Sequence, residues 1–401
     1  KELGKITNSQ YTEALAFDIK GALAKPTSKA YSTYPYLMME VERQGALLIM
    51  KQNNPNLDTS KLSTEEYNQL FEESRQKLLT GGYRVYTTIN KTVYNTMHEV
   101  AEDSRNFSPD SSSKGKEQTA AMMINHKTGA ILGMIEGRSF QEEQMNYATQ
   151  MTRQPGSAMK PIAAYLPALD SGLVQPASVL DDAPIILKDG SKGFHIPGNA
   201  NGRYQGLVMA RTALNESLNL PALKIFLDKV GIDKAWAFAK KLGITTIQDA
   251  DYSAQTGVLG GLKYGVTVEE LTNAYGSIPN QGVFNNAYMI KQMDDPYGKT
   301  LYKHEADPQR VYSKQTAYLM TDMLRTVISG SDGTGRSLQS LFNKYGKIPI
   351  AGKTGTTQNY ADVWFMGFTP DVTLGVWAGY REPVNTLSND GKKRARTIWA
   401  T

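Results

Sequence analysis

The chain has 401 residues, 40% hydrophobic and 21% charged, a composition that fits a folded globular protein and excludes a disordered one. A net charge of +5 is too weak to argue for nucleic acid, and an anionic surface or acidic polymer fits it equally well. With no cysteine, disulfides, thiolate catalysis and zinc–thiolate sites are excluded, and four scattered histidines (His98, His126, His195, His304) form no metal-binding pair, so no metal centre is expected.

No apolar run approaches the ~18 residues of a membrane span, and no signal peptide opens the chain. It begins at Lys1-Glu2-Leu3 without Met, which we read as a fragment of something longer. Residues 1 to about 82 read as helical and polar. Ser63 to Glu66 forms a capping box, Tyr67, Leu70, Phe71 and Leu78 follow at helical spacing, and Gly81-Gly82 stops the helix. Tyr83 to Ile89 reads as a strand, Val93 to Val100 as a helix and Ser108 to Lys116 as a loop. Apolar runs at 118–124 and 130–136 flank Asn125-His-Lys-Thr-Gly129 in a hairpin pattern. From 157 to about 245 the pattern is mostly helical, as it is over 266–280 and 314–329. Strands return at Lys347 to Lys353, Val363 to Phe368 and Thr373 to Gly379. The order predicts an α+β fold in which N- and C-terminal strands meet in one antiparallel sheet around a helical insertion.

Three short motifs carry chemistry: Ser157-Ala-Met-Lys160, Ser217-Leu-Asn219 and Lys353-Thr-Gly355. Each recurs by chance, at Ser74, Ser111 and Ser113, at Ser104 and at Lys127, so context has to choose. Pro155-Gly156 turns the chain just before Ser157 and a helix follows over Lys160 to Leu169. That places Lys160 one turn below the hydroxyl and aims backbone N–H groups at charge forming there. Ser74 lies inside an amphipathic helix, and Ser111 and Ser113 lie in a polar loop. A serine becomes a nucleophile only when its proton is removed, and a lysine does this only when neutral, through burial or a neighbouring cation such as Lys353. Gly355 leaves room for substrate backbone, Thr354 and Thr356 supply hydroxyls, and the Ser157 and Thr356 N–H groups suit an oxyanion. Ser217 and Asn219 suit a proton relay and a substrate amide. Trp364, Phe365 and Phe368 read as core, His195 as a loop residue, and Lys392-Lys-Arg-Ala-Arg396 as a solvated basic loop.

Arg153-Gln-Pro-Gly-Ser-Ala-Met-Lys-Pro161 resembles the nucleophile segment of class A penicillin-binding proteins. Tyr86-Thr-Thr-Ile-Asn90, Lys127-Thr-Gly-Ala-Ile-Leu-Gly133, Pro197-Gly-Asn199, Leu259-Gly-Gly261, Tyr264-Gly-Val-Thr267 and Gly333-Thr-Gly335 are similar to further family stretches in the same order. Gly352-Lys-Thr-Gly-Thr-Thr357 followed by Asp362-Val-Trp-Phe-Met-Gly-Phe-Thr-Pro370 is the most specific run. The resemblance implies a transpeptidase domain over 83–401, with residues 1–82 as a linker region toward a missing glycosyltransferase domain, and an antiparallel sheet between helical layers. It implies a D,D-transpeptidase in which Ser157, Lys160, Ser217, Asn219 and Lys353 are catalytic and Thr354, Gly355 and Thr356 bind substrate. The implied partners are donor and acceptor peptidoglycan stem peptides and β-lactams, not nucleic acid, and no metal or organic cofactor is implied. The implied location is the outer face of the bacterial membrane, anchored only through a missing N-terminal segment. A D,D-carboxypeptidase or β-lactamase, and a non-catalytic β-lactam sensor, remain the alternatives.

Overall fold

A computed structural model of the chain describes residues 6–17, 30–189 and 193–401. Its centre is a five-stranded antiparallel sheet in the order Ala351–Thr356, Asp362–Phe368, Thr373–Gly379, Gln118–Asn125, Ala130–Ile135. Gly379 pairs with Gln118 and Thr373 with Ile124, so the N- and C-terminal strands meet as expected. Side chains alternate between two cores, as the period of a strand requires. Trp364, Met366, Phe368, Trp377 and Met122 face the larger helical layer. Val363, Phe365, Val376 and Ala378 face a smaller layer built on the helices Lys91–Glu102 and Arg394–Ala400. The sheet therefore lies between helices on both faces.

The N-terminal helix Thr64–Thr80 starts on the expected capping box and ends at Gly81. The helix before it, Pro35–Asn53, packs on the body: Tyr36 Oη donates to Glu143 O at 2.5 Å, and the buried Glu40 accepts from Asn146 and Thr149. Arg84–Thr87 joins a separate three-stranded sheet with Ile290–Asp294 and Thr300–Lys303.

Four sequence expectations need correction. The helix expected over Lys160 to Leu169 is a composite, with a 3-10 turn at Gly156–Met159, a π turn at Pro161–Tyr165 and an α turn at Leu166–Asp170. Pro161 and Pro167 have no N–H to give to the carbonyls four residues back, so the chain tightens before one and widens before the other. The stretch expected to be mostly helical also holds two short hairpins, Val179–Asp182 with Gly206–Met209 and Leu187–Asp189 with Gly193–His195; the exposed His195 thus ends a strand. The strand expected from Lys347 begins only at Ala351, because 344–348 form a turn and Pro349 has no N–H to pair. Lys353-Thr-Gly355 is therefore inside the strand. Finally, Lys392–Arg396 is not a solvated loop. Arg394 is buried against Glu117 (Nε–Oε1 2.8 Å), and Arg396 donates to Thr334 O at 2.5 Å.

Removing one partner of a buried ion pair strands the other charge. Arg394→Ala is expected to cost about 3–5 kcal/mol, whereas the exposed Lys393→Ala should stay within about 0.5 kcal/mol. Urea unfolding followed by tryptophan fluorescence measures both, and equal midpoints would refute the role given to the Arg394–Glu117 pair.

Candidate active site

The turn carrying Ser157 is clamped from three sides. Arg153 and Val266 exchange backbone hydrogen bonds at 2.9 Å each way. The Trp364 indole donates to Gln154 O at 2.9 Å, and the Tyr275 hydroxyl to Ala158 O at 2.6 Å. Gly156 sits at φ +54° against the end of the edge strand, where a Cβ would stand 2.3 Å from Thr356 O. Gly260, at φ +92°, presses in from behind; its Cβ would stand 2.2 Å from Gly156 N. Only glycine fits either position.

This contact sets the two backbone donors expected for an oxyanion. Thr357 N–H pairs with Asp362 O at 3.1 Å on the neighbouring strand. The alternation of an antiparallel ladder then turns Thr356 N–H to the open edge, beside Gly156 and Ser157. Ser157 N–H belongs to the opening turn of a helix, whose first donors have no partner within it.

Beneath the half-buried Ser157, two lysines are fully buried, Lys160 and Lys353. Positions i and i+3 eclipse in a 3-10 turn, so Lys160 starts directly under Ser157. Its amine, however, is hydrogen-bonded to the Ser217–Asn219 segment: Ser217 O at 2.6 Å, Asn219 Oδ1 at 2.7 Å, Leu218 O at 3.1 Å and Ser217 Oγ at 3.4 Å. The direct bond expected between Lys160 and Ser157 is absent among the described residues. Ser217 has φ +58°, a left-handed conformation costly for a non-glycine residue. It lets the two successive carbonyls of Ser217 and Leu218 converge on one amine. Lys353 Nζ donates to the same Ser217 hydroxyl at 2.8 Å and to Thr354 O at 3.0 Å. One hydroxyl thus lies between two buried amines.

Burial, then the neighbouring Lys353 charge, push Lys160 well below the lysine range, while Asp182 pushes it back up. Burial takes Lys353 down to about 7. Both amines are thus displaced toward the neutral form, Lys160 by burial and by Lys353, Lys353 by burial.

The penicillin binding protein transpeptidase domain family matches residues 119–400. The chain belongs to that family. Penicillin-binding protein 4 of Bacillus subtilis is 30% identical over 403 residues, covering 100% of this chain and 60% of that protein. Penicillin-binding protein 1A of Clostridium acetobutylicum is 30% identical over 347 residues, covering 83% and 42% respectively. The chain thus spans about half the length of these curated relatives. Among solved structures, penicillin-binding protein 1A from Haemophilus influenzae superposes with a TM-score of 0.69 at 20% identity, covering 91% of this chain and 76% of that one. PonA1 from Mycobacterium tuberculosis, solved with penicillin V, gives 0.68 at 22% identity, covering 84% and 89%. The fold is that of the penicillin-binding proteins.

The three transpeptidase motifs expected from sequence converge here, and their chance copies do not. Ser74 is buried mid-helix, Ser111 and Ser113 bond each other at 3.1 Å, and Lys127 pairs with Asp371 on a surface hairpin. Three neighbours of the site were not singled out. Thr334 receives the Thr354 hydroxyl at 2.8 Å, and Asn199 receives Asn219 N–H at 2.7 Å. Both lie in stretches that carried the family resemblance. Asp182 had no sequence signal.

If the glycine contacts hold the serine turn to the strand, Gly156→Ala and Gly260→Ala should each lose more than about 2 kcal/mol, combining strain with a backbone clash. Gly172, also left-handed at φ +72° but with nothing within 4 Å of a Cβ, should lose only about 1–2 kcal/mol as alanine. Denaturation midpoints rank the three, and an equal loss at all three would remove the clamp.

Proposed function

We propose that this chain is a serine D,D-transpeptidase that cross-links peptidoglycan stem peptides. The observation that carries the reading is the Ser217 hydroxyl held between two buried amines under the nucleophile's turn. Ser157 Oγ attacks the carbonyl between two D-alanines while its proton passes to neutral Lys160. The resulting oxyanion lies between the N–H groups of Ser157 and Thr356. Collapse breaks the peptide C–N bond, and the proton returns through Lys160 and Ser217 to the departing D-alanine amine. An acceptor amine then attacks the ester carbonyl and gives a proton to Lys160; collapse breaks the C–O bond to Ser157, and that proton passes from Lys160 to Ser157 Oγ. Lys353 stays charged and, with Thr354 and Thr356, holds the donor carboxylate; Asn219 holds a substrate amide, and Gly355 lets the peptide lie on the edge strand.

The same serine is acylated by β-lactams. We read residues 1–82 as the linker toward a glycosyltransferase domain and 83–401 as the transpeptidase domain. In the whole protein we place it on the outer face of the membrane, held by a segment outside this chain; no helix among the described residues is long and apolar enough to cross a membrane.

Transfer to an amine is favoured over hydrolysis because the two glutamates that open the helix Val268–Gly276 are otherwise engaged. Glu270 Oε1 accepts Thr245 N–H at 2.9 Å and its other oxygen caps the helix Val268–Gly276. Glu269 faces Glu40 and Arg43 on the helix Pro35–Asn53. With no carboxylate among the described residues bonded to Ser157 or Lys160 to activate water, the penicillin adduct on Ser157 should persist for many minutes after free drug is removed. A pulse of labelled penicillin, rapid desalting and an intact-mass time course test this, with Ser157→Ala unlabelled throughout. Loss of adduct within seconds would make the chain a hydrolase, and an adduct mapped elsewhere would sink the assignment.

The two lysines give the reaction its pH profile. Acylation needs Lys160 neutral and Lys353 charged. Burial and the neighbouring Lys353 charge push Lys160 well below the lysine range, which favours its neutral form. Lys353 titrates at about 7, so the second-order rate of acylation should fall as pH rises through 7 and Lys353 loses its charge. Lys353→Arg keeps a charge at all these pH values and should lose this descending limb. Stopped-flow acylation between pH 5 and 9 checks it; a limb of unchanged position in the arginine variant would reassign the titrating group.

A further inference from the structure

The anion that faces Lys160 lies outside all three motifs. Asp182 ends the strand Val179–Asp182 and is fully buried, yet among the described residues it forms no ion pair. Its carboxylate oxygens accept from Asn199 Nδ2 at 2.7 and 2.9 Å, and one also accepts Gln205 N–H at 2.9 Å. The same Nδ2 reaches Arg203 O at 2.8 Å. Asn199 Oδ1 accepts the Asn219 backbone N–H at 2.7 Å. Asn219 Nδ2 donates to Gly198 O at 2.7 Å, and its Oδ1 accepts Lys160 Nζ at 2.7 Å. The hydrogen bonds run unbroken from the carboxylate to the amine.

The chemistry of these groups fixes their direction. An ionised carboxylate only accepts, so the Asn199 amide must turn its NH₂ toward Asp182 and its oxygen toward Asn219 N–H. Gly198 O also only accepts, so Asn219 must turn its NH₂ there and its oxygen to Lys160. A neutral acceptor in place of Asp182 could anchor the loop just as well. A buried carboxylate without a cation in contact is costly, and the loop alone does not account for it. Two charged groups act on the Lys160 proton in opposite senses, Lys353 on the edge strand disfavouring it and Asp182 favouring it.

We infer that Asp182, acting through Asn199, is a positioning residue for the acylation centre: it fixes the orientation of Asn219 and supplies the buried counter-charge to the Lys160 amine. This rests on the proposed roles of Ser157 and Lys160.

Exchanging the two groups tests it. Asp182→Asn removes the charge and sets amide hydrogens against amide hydrogens. Asn199→Asp sets two carboxylates face to face. The double variant Asp182→Asn/Asn199→Asp again matches donor to acceptor between the two positions and keeps one negative charge in the chain, though position 199 then no longer donates to Arg203 O. Each single variant should lose at least tenfold in the second-order rate of penicillin acylation at pH 7. The double variant should be at least tenfold faster than the slower single. Singles at the wild-type rate, or a folded double no faster than either single, would overturn the inference. Where the singles do not fold, the double decides alone: within tenfold of wild type supports the relay, and an inert or unfolded double refutes it. Mapping the wild-type adduct in the same samples separates this from the parent reading, because an adduct away from Ser157 would condemn the assignment of the nucleophile first.

Discussion

Two lysine amines buried on either side of one serine hydroxyl constrain everything around them. Through Ser217 Oγ, at 2.8 and 3.4 Å, the amines lie no more than about 6 Å apart. Two unit charges at that separation repel by about 3 kcal/mol at an effective dielectric of about 20, close to two pK units. With burial added, two full charges are unstable here, and one amine has to give up its proton. The surroundings decide which. Lys160 is fully buried, and the Lys353 charge further disfavours its proton. Lys353 sits on an edge strand, where the cleft can offer it an anion. The left-handed Ser217 is the backbone cost of this arrangement, since no ordinary helix end would bring both carbonyls and the hydroxyl to the same place.

The edge strand is the second half of the constraint. A sheet edge presents unpaired N–H and C=O groups that invite another chain. Here its last residues are partly covered by the serine turn, with Gly156 and Gly260 packed too closely to admit any side chain. What stays open is the edge-facing backbone of Thr354 and Thr356, next to the nucleophile. The arrangement suits strand addition by an extended peptide whose reactive carbonyl arrives where Ser157 N–H and Thr356 N–H converge. The composite helix after Ser157 follows from the same demand. Prolines at 161 and 167 break the α ladder, so the turn is held from outside by Trp364, Tyr275 and Val266 instead of by its own helix.

Much of this was legible in the sequence. The strand pair at 118–135 and the strands at 362–379 show strong β patterning, and the sheet they form was read correctly. The capping box at Ser63 and the Ser157 turn were visible as local chemistry. What failed was non-local. Pro161 and Pro167 looked tolerable in a helix, yet each removes a donor that an α ladder needs. Arg394 looked like one charge in a basic run until folding placed it against Glu117, 277 residues away. The short hairpins between 179 and 209 have exposed faces and little alternation, so no period announced them. Asp182 was invisible because its importance comes from what it meets, Asn199, and through it a loop near the nucleophile. The direct Lys160–Ser157 bond was expected from spacing alone, whereas acceptors elsewhere in the fold hold the amine.

The proposed reading adds a consequence of linkage. A donor peptide or penicillin brings a carboxylate to Lys353. An anion within reach favours the charged form of a buried lysine, so binding raises the pKa of Lys353 from about 7 and fixes its proton. A firmly charged Lys353 in turn lowers the proton affinity of Lys160 through the short Ser217 bridge. Substrate carboxylate and free base are thus coupled: the ligand that needs a base at Ser157 helps to deprotonate it. Asp182 opposes this pull and keeps Lys160 from becoming too weak a base to take the serine proton. On this reading, the strength of the base is set by the substrate carboxylate, Lys353 and Asp182, and only Lys353 belongs to the recognised motifs.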